Sequence, residues 1–431
     1  MRLPALLLLA ISAVPLAADS ILIRNVTVHP VTAPDIANGS VLIVDGKIAE
    51  VGSEIAARDG SRIIDGHGLH LYPGLINAAT NVGLEEIGSL RDTVDLDEIG
   101  LFNPELRAEQ AFNPSSEHIE VTRAAGVTTV VSLPGSGERN QRGGTPMITG
   151  QGALMHMNGW TWEEMAVKPA TVMDLLFPEN ETISPQMAAF FGTQGRTYAD
   201  QEKEHKQQIR ELHEFFEQAR HYQIAKTANP PGFQRDLRLD AMIPVLEGRL
   251  PLFIRAAREP TIKEAVQFAG EERIKMILAG PVEIGSTGSL LKEKNIPVVL
   301  GASFALPVHD DDPYDSRYSL ATEFYKAGVK ICFGTFDVQF ARNVPFEAAQ
   351  AVAFGLPHDE ALKAITINSA EVLGARDQIG SIEKGKIADV ILTDGDPMEA
   401  GTSIKRMFIA GQEVSLESRH TREYQKWLAR P

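Results

Sequence analysis

Apolar positions along this chain follow a two-residue period at its ends and a mixed pattern of short apolar runs and helical spacing in its middle. Ile21 to Val31, Ser40 to Val44 and Lys47 to Val51 are short strand-like runs, with Asp45-Gly46 as the tight turn between the last two. Ala388 to Thr393, Met407 to Ala410 and Glu413 to Leu416 repeat that pattern near the other end, separated by Asp394-Gly395-Asp396-Pro397 and Gly411. The two ends are expected to pair into one accessory sheet. Between them, Thr128 to Leu133, Leu252 to Arg255, Lys275 to Leu278, Val298 to Leu300 and Lys330 to Phe333 have the unbroken apolar character of buried parallel strands. Each is followed by a loop and then by helical periodicity. This repetition favours an α/β fold of the (β/α)8 barrel type over a doubly wound sheet.

Gly195 to Pro230 is polar overall, yet Ile209, Leu212, Phe216 and Ala219 recur at helical spacing, which predicts an amphipathic helix on the barrel exterior. His205, His213 and His221 on it are eight residues apart, so successive ones rotate by about 80° around the helix. They are expected to be solvated and not to form a ligand cluster.

With 43% hydrophobic and 23% charged residues, the 431-residue chain has the composition of a globular protein large enough for a barrel and an accessory domain. Its net charge of -16 argues against nucleic acid or an anionic membrane as partner, because both are bound through clustered Lys and Arg. Met1 to Ala18, with Arg2 before an apolar run and Ala17-Ala18 before Asp19, has the layout of a signal peptide. Export to a periplasmic or extracellular compartment, with no membrane span after its removal, is the expectation. Cys332 is the single cysteine, so no intrachain disulfide forms, and its apolar surroundings predict a buried structural thiol.

Four segments carry a resemblance to a known family. They are Val41-Leu42-Ile43-Val44-Asp45-Gly46-Lys47-Ile48, Pro73-Gly74-Leu75-Ile76, Glu360-Ala361-Leu362-Lys363-Ala364-Ile365-Thr366 and Gly380-Ser381-Ile382-Glu383-Lys384-Gly385-Lys386-Ile387-Ala388-Asp389. The chain resembles the amidohydrolase superfamily, in particular its exported imidazolonepropionase-like members. The resemblance implies a TIM-like barrel over residues 72–380, with a composite β-sandwich built from residues 19–71 and 381–431. It also implies hydrolysis of non-peptide C–N bonds with one or two divalent metals, commonly zinc.

The metal ligands of that family are not at their places. Its first-strand segment reads roughly Pro-Gly-Leu-Ile-Asp-Ala-His-Thr-His, where this chain has Pro73-Gly74-Leu75-Ile76-Asn77-Ala78-Ala79-Thr80-Asn81. Residues i and i+2 of a strand share a face, which is how that pattern brings two imidazoles to one metal; Ala79 donates nothing, and the carbonyl of Asn81 suits hard cations better than zinc. Arg255, with Arg258 three residues on, stands at the next histidine position, and Ala279-Gly280 at the one after. The aspartate of the last strand is displaced by one residue within Gly334-Thr335-Phe336-Asp337, and no strand-four ligand is evident. No metal and no cofactor is therefore expected.

Asp337 is the candidate acid or base, with capping of the following helix or pairing with Arg342 as the structural alternative. Asn81, Arg255 and Arg258 are candidate substrate contacts, and the two guanidinium groups suit an anionic small molecule. Alternatively, Arg255 fills the vacated cavity and pairs with Asp337. The glycine-rich loop Pro134 to Gly152 with Arg139 and Arg142 is expected to be a mobile loop at the barrel mouth. Glu85, Glu86, Asp92, Asp95, Asp97 and Glu98, and His309 with the aspartates after it, are expected to be solvated acidic surface. Trp160 and Trp162, with Tyr72, Phe102 and Phe112, are expected in the core. Two functions stay open: a hydrolase of the family with its standard metal site lost, or a catalytically inactive binding or partner subunit that forms a homo- or hetero-oligomer with a related chain.

Overall fold

The computed structural model describes residues 20–135, 146–179, 198–307 and 312–430, so Met1 to Ala18, Arg139, Arg142 and His309 lie outside the described residues. Five strands precede the barrel: β1 (Ser20–Val28), β2 (Ile36–Val44), β3 (Lys47–Gly52), β4 (Arg62–Asp65) and β5 (His70–Pro73). The barrel strands are β6 (Leu75–Thr80), β7 (Val127–Ser132), β8 (Ile148–His156), β9 (Ala166–Leu176), β10 (Leu252–Arg255), β11 (Met276–Ala279), β12 (Val298–Leu300) and β13 (Ile331–Phe333). Three more follow: β14 (Val390–Thr393), β15 (Ile404–Ile409) and β16 (Gln412–Val414).

Strands from both ends make one sheet, in the order β16-β15-β14-β5-β1-β2-β3, with β4 paired alongside β1. It is a single eight-stranded sheet wrapped around its own core, which includes Ile23, Ile43, Leu71, Val390 and Phe408. The wrap brings two tight turns together. A Cβ on Gly411, where φ is +74°, would sit 2.6 Å from the Cα of Gly46, so only glycine allows the contact.

The second sheet runs β6 to β13 in spatial as well as chain order, and it differs from an all-parallel barrel at one strand. β8 is antiparallel to both β7 and β9. The described part of the β7-to-β8 connection holds no crossover helix, and one short helical turn (Trp162–Met165) joins β8 to β9. The connection 157–165 between β8 and β9 is too short for a parallel crossover, so that pair must reverse direction. Part of the expected glycine-rich mouth loop is therefore barrel strand, from Ile148 onward.

The barrel is nearly closed at the seam between β6 and β13. Asn77, fully buried, clasps it: its Oδ1 accepts from Thr335 N at 3.2 Å, and its Nδ2 donates to Thr335 Oγ1 and Ala341 O, each at 3.0 Å. Phe336 N donates to Ala79 O at 2.8 Å beside it. At the other end of the barrel, His156 Nε2 lies 2.9 Å from Asp389 Oδ2, a buried contact between β8 and the residue just before β14. Asp389 also accepts from Gly74 N and Ala410 N, each at 2.8 Å, so one residue ties the barrel to the accessory sheet.

The long helix Tyr198–Ala228 packs with Leu212, Phe216 and Ala219 fully buried. Its histidines are not all solvated. His205 is buried with Nε2 2.8 Å from Glu264, and His213 contacts Glu272 while facing the edge of Phe268. Both face the neighbouring helix Glu259–Glu271 and its end, because the contact face is wider than the four apolar residues alone define. Trp160, expected in the core, is 91% exposed in the turn between β8 and β9. Among the described residues no helix is long and apolar enough to cross a membrane.

Candidate active site at the barrel mouth

Inward-facing side chains fill the barrel with an apolar core that includes Ile76, Val131, Leu154, Val172, Phe253, Ile277, Val299 and Cys332. Cys332 is fully buried, and burial pushes its thiol up to about 12, which leaves it protonated and unreactive. At the carboxyl ends of the strands this core gives way to one polar network, the place where barrels of this kind position their chemistry.

Asp174 on β9 is the centre of that network. Its side chain is fully buried, Oδ2 accepts from Thr149 Oγ1 at 2.6 Å, and Oδ1 accepts from Arg255 Nε at 2.9 Å. The two remaining nitrogens of Arg255 donate to main-chain carbonyls, Nη2 to Pro134 at 3.1 Å and Nη1 to Gly135 at 3.3 Å. Its guanidinium carbon also lies 5.6 Å from the centre of the Phe336 ring, a cation–π distance. Phe336 has φ of +53°, a conformation rarely held by an aromatic residue, and it packs towards Phe253. Burial raises the Asp174 carboxyl above the ordinary carboxylate range, while the Arg255 charge and the two hydrogen bonds pull it back down.

Arg255 thus pairs with Asp174 and not with Asp337. β10 neighbours β9 and β11, whereas β13 is three strands away in the sheet order. Asp337 is half-buried after β13 and accepts from Phe340 N at 2.8 Å, closing the turn ahead of Ala341–Asn343. Arg342 donates to Gln339 O instead. Asn81 is buried and donates to Leu133 O at 2.9 Å, joining the end of β6 to the end of β7. Arg258 lies outside the network. It precedes the helix Glu259–Glu271 and faces Glu283 at 3.3 Å and Asp312 at 3.7 Å.

Ala79 is buried on β6 and packs directly against Gly334, where an added Cβ would lie 2.6 Å from the Ala79 Cβ. Asp95, Asp97, Glu98 and Glu105 line a pocket of about 290 Å³ that reaches Pro134, so the acidic segment borders the mouth and is not only outer surface. Asp174 is not among the candidates that the sequence offers. Its one signal was a lone carboxylate inside the apolar run Val172 to Leu176, where burial without a partner would be prohibitive.

A model of the amidohydrolase family matches residues 290–414. The structure is similar to that of an amidohydrolase from Thermotoga maritima MSB8, with a TM-score of 0.78 and 27% identity over 92% of this chain and 99% of that one. The chain has the fold of the amidohydrolase superfamily. In sequence it is 22% identical over 404 residues to amidohydrolase tasK of Hapsidospora irregularis, covering 86% of this chain and 39% of that protein. It is 32% identical over 109 residues to the imidazolonepropionase of Thermoplasma volcanium, or 23% of this chain and 27% of that one. The chain therefore spans about two fifths of tasK and about a quarter of the imidazolonepropionase.

Proposed function

We propose that this chain is an amidohydrolase-superfamily barrel in which the Asp174–Arg255 pair has replaced the metal-dependent hydrolytic site, leaving a binding or partner subunit. The saturation of that pair carries the reading. Asp174 already holds Thr149 and Arg255, and every guanidinium nitrogen of Arg255 has an acceptor. The donor set does not fit a zinc or two-metal centre. Ala79 offers no lone pair, the Asn81 amide is turned towards Leu133, and Arg255 puts a cation where a dication would sit. Arg255 and Arg258 both face carboxylates, which removes the grounds for an anionic ligand held by those two residues.

A second reading, hydrolysis of a non-peptide C–N bond, draws on the likeness to the Thermotoga amidohydrolase over nearly its whole length. On that reading the buried Asp174, not Asp337, is the carboxylate placed for proton transfer. Export, from the signal-like Met1 to Ala18, belongs to both readings. Elemental analysis of protein purified without chelator, run with a panel of N-acyl amino acids and lactams, separates the two. The binding reading expects well under one equivalent of zinc and no turnover with added zinc. Stoichiometric zinc together with turnover that Asp174→Asn abolishes would establish the hydrolase.

A further inference from the structure

At the opposite end of the barrel from the mouth, a cleft of about 920 Å³ opens where β10 to β13 begin. Its volume lies within the range of small-molecule sites, roughly 300 to 1,000 Å³. Its wall is apolar, with Val266, Leu291 and Ile296 buried. Its charged side chains are six cations, Lys168, Arg249, Lys275, Lys292, Lys294 and Lys330, against one carboxylate, Glu371. In a chain of net charge -16, this is a strong local reversal of sign.

Most of these cations have no anion to meet in the fold. Glu371 is shared between Lys330 and Arg376, and Arg249 is held by Glu247. Lys168 is half-buried and donates to Leu373 O at 3.0 Å, capping the end of the helix Ile367–Val372. The ammonium groups of Lys275, Lys292 and Lys294 form no ion pair or hydrogen bond with any described residue. The carbonyl ends of helices attract lysines, but these three ammonium groups donate to no carbonyl among the described residues, so that attraction does not consume them.

We propose that this cleft binds a small amphipathic anion, its apolar body against Val266, Leu291 and Ile296 and its anionic group among Lys275, Lys292 and Lys294. The site is independent of the mouth. Each of these strands is at most four residues long, so the two ends of the barrel wall are separated by roughly 13 Å of strand.

The test is a fluorescence titration of the whole chain with 8-anilinonaphthalene-1-sulfonate at low ionic strength, repeated with the uncharged N-phenyl-1-naphthylamine. We expect one saturable sulfonate site per chain. The triple variant Lys275→Glu/Lys292→Glu/Lys294→Glu should weaken it roughly tenfold or more, a change of at least about 1.4 kcal/mol, with the neutral probe unaffected. Added salt near 0.5 M should weaken the parent's binding in the same direction, since the groups are exposed. Because all three lysines are exposed, the melting temperature should hold; if the charge reversal unfolds the chain, the Lys→Gln triple provides the same comparison with a smaller drop. Absence of a saturable site, or equal sulfonate affinity in parent and folded variant, overturns the proposal.

Discussion

Asp174 Oδ1 accepts from Arg255 Nε at 2.9 Å across adjacent barrel strands, with the carboxylate fully buried and the guanidinium 19% exposed. Removing one partner leaves a buried charge without compensation. Arg255→Ala should therefore destabilise the fold by about 3 to 5 kcal/mol, and Asp174→Asn should also be harmful. Urea denaturation measures both; a loss below about 1 kcal/mol for Arg255→Ala would show that the pair is dispensable to the fold.

Gly334 and Ala79 meet at the barrel seam with no room for another carbon. A Cβ on Gly334 would come within 2.8 Å of Ala79 N as well as 2.6 Å of its Cβ, and the backbone atom cannot rotate away. We expect Gly334→Ala to lower stability by about 1 to 3 kcal/mol, as overpacking does. An imidazole introduced by Ala79→His should meet the same crowding. Thermal melts of the two variants that match the parent would show that the seam yields.

Glu347, in the helix Val344–Ala353, is buried, and burial pushes its carboxyl up to about 8 despite the nearby Arg317 charge. Glu347 Oε2 and Arg317 Nη1 each lack a hydrogen-bond partner, and the hydrogen bond from the Ser303 backbone only partly offsets the burial of the carboxylate. The folded value lies above the ordinary 4.5, so the fold binds this proton more tightly than the unfolded chain does. The stabilisation is fully present below pH 4.5 and is lost as pH rises towards 8. Glu347→Gln should remove this dependence and gain on the parent as pH rises from 5 to 9, in a comparison of melting temperatures at matched pH. Parallel curves for the two proteins would mean that Glu347 is ionised in the fold throughout.

Asp389 holds His156 through Oδ2 and Ala410 N through Oδ1. Asp389→Ala leaves the buried His156 imidazole and the part-buried Ala410 N–H without this partner, for an expected loss of about 1 to 3 kcal/mol. Hydrogen exchange should show the loss concentrated where β8 meets the accessory sheet. Uniform protection, equal to that of the parent, would contradict this.

Much of the architecture was legible because burial leaves a pattern in the chain itself. Continuous apolar runs marked β7, β10, β11, β12 and β13, and alternating runs with turn residues marked β1 to β3 and β14 to β16. The reversal of β8 was not legible. An antiparallel barrel strand buried on both faces has the same apolar composition as a parallel one, and direction is set by the connection.

The residues at the family's ligand positions were also fixed by the sequence, since Ala79, Asn81 and Arg255 are identities that no folding can alter. Which groups they meet was decided only in three dimensions. Asp174 and Thr149 lie 25 residues apart, and Arg255 is 81 residues from Asp174, yet hydrogen-bonded strand pairing makes them neighbours. Asp337, close to the expected site along the chain, turns to its own backbone instead. Local spacing records which face a side chain occupies, whereas the partner of a buried charge depends on strand order, and strand order is a property of the assembled sheet.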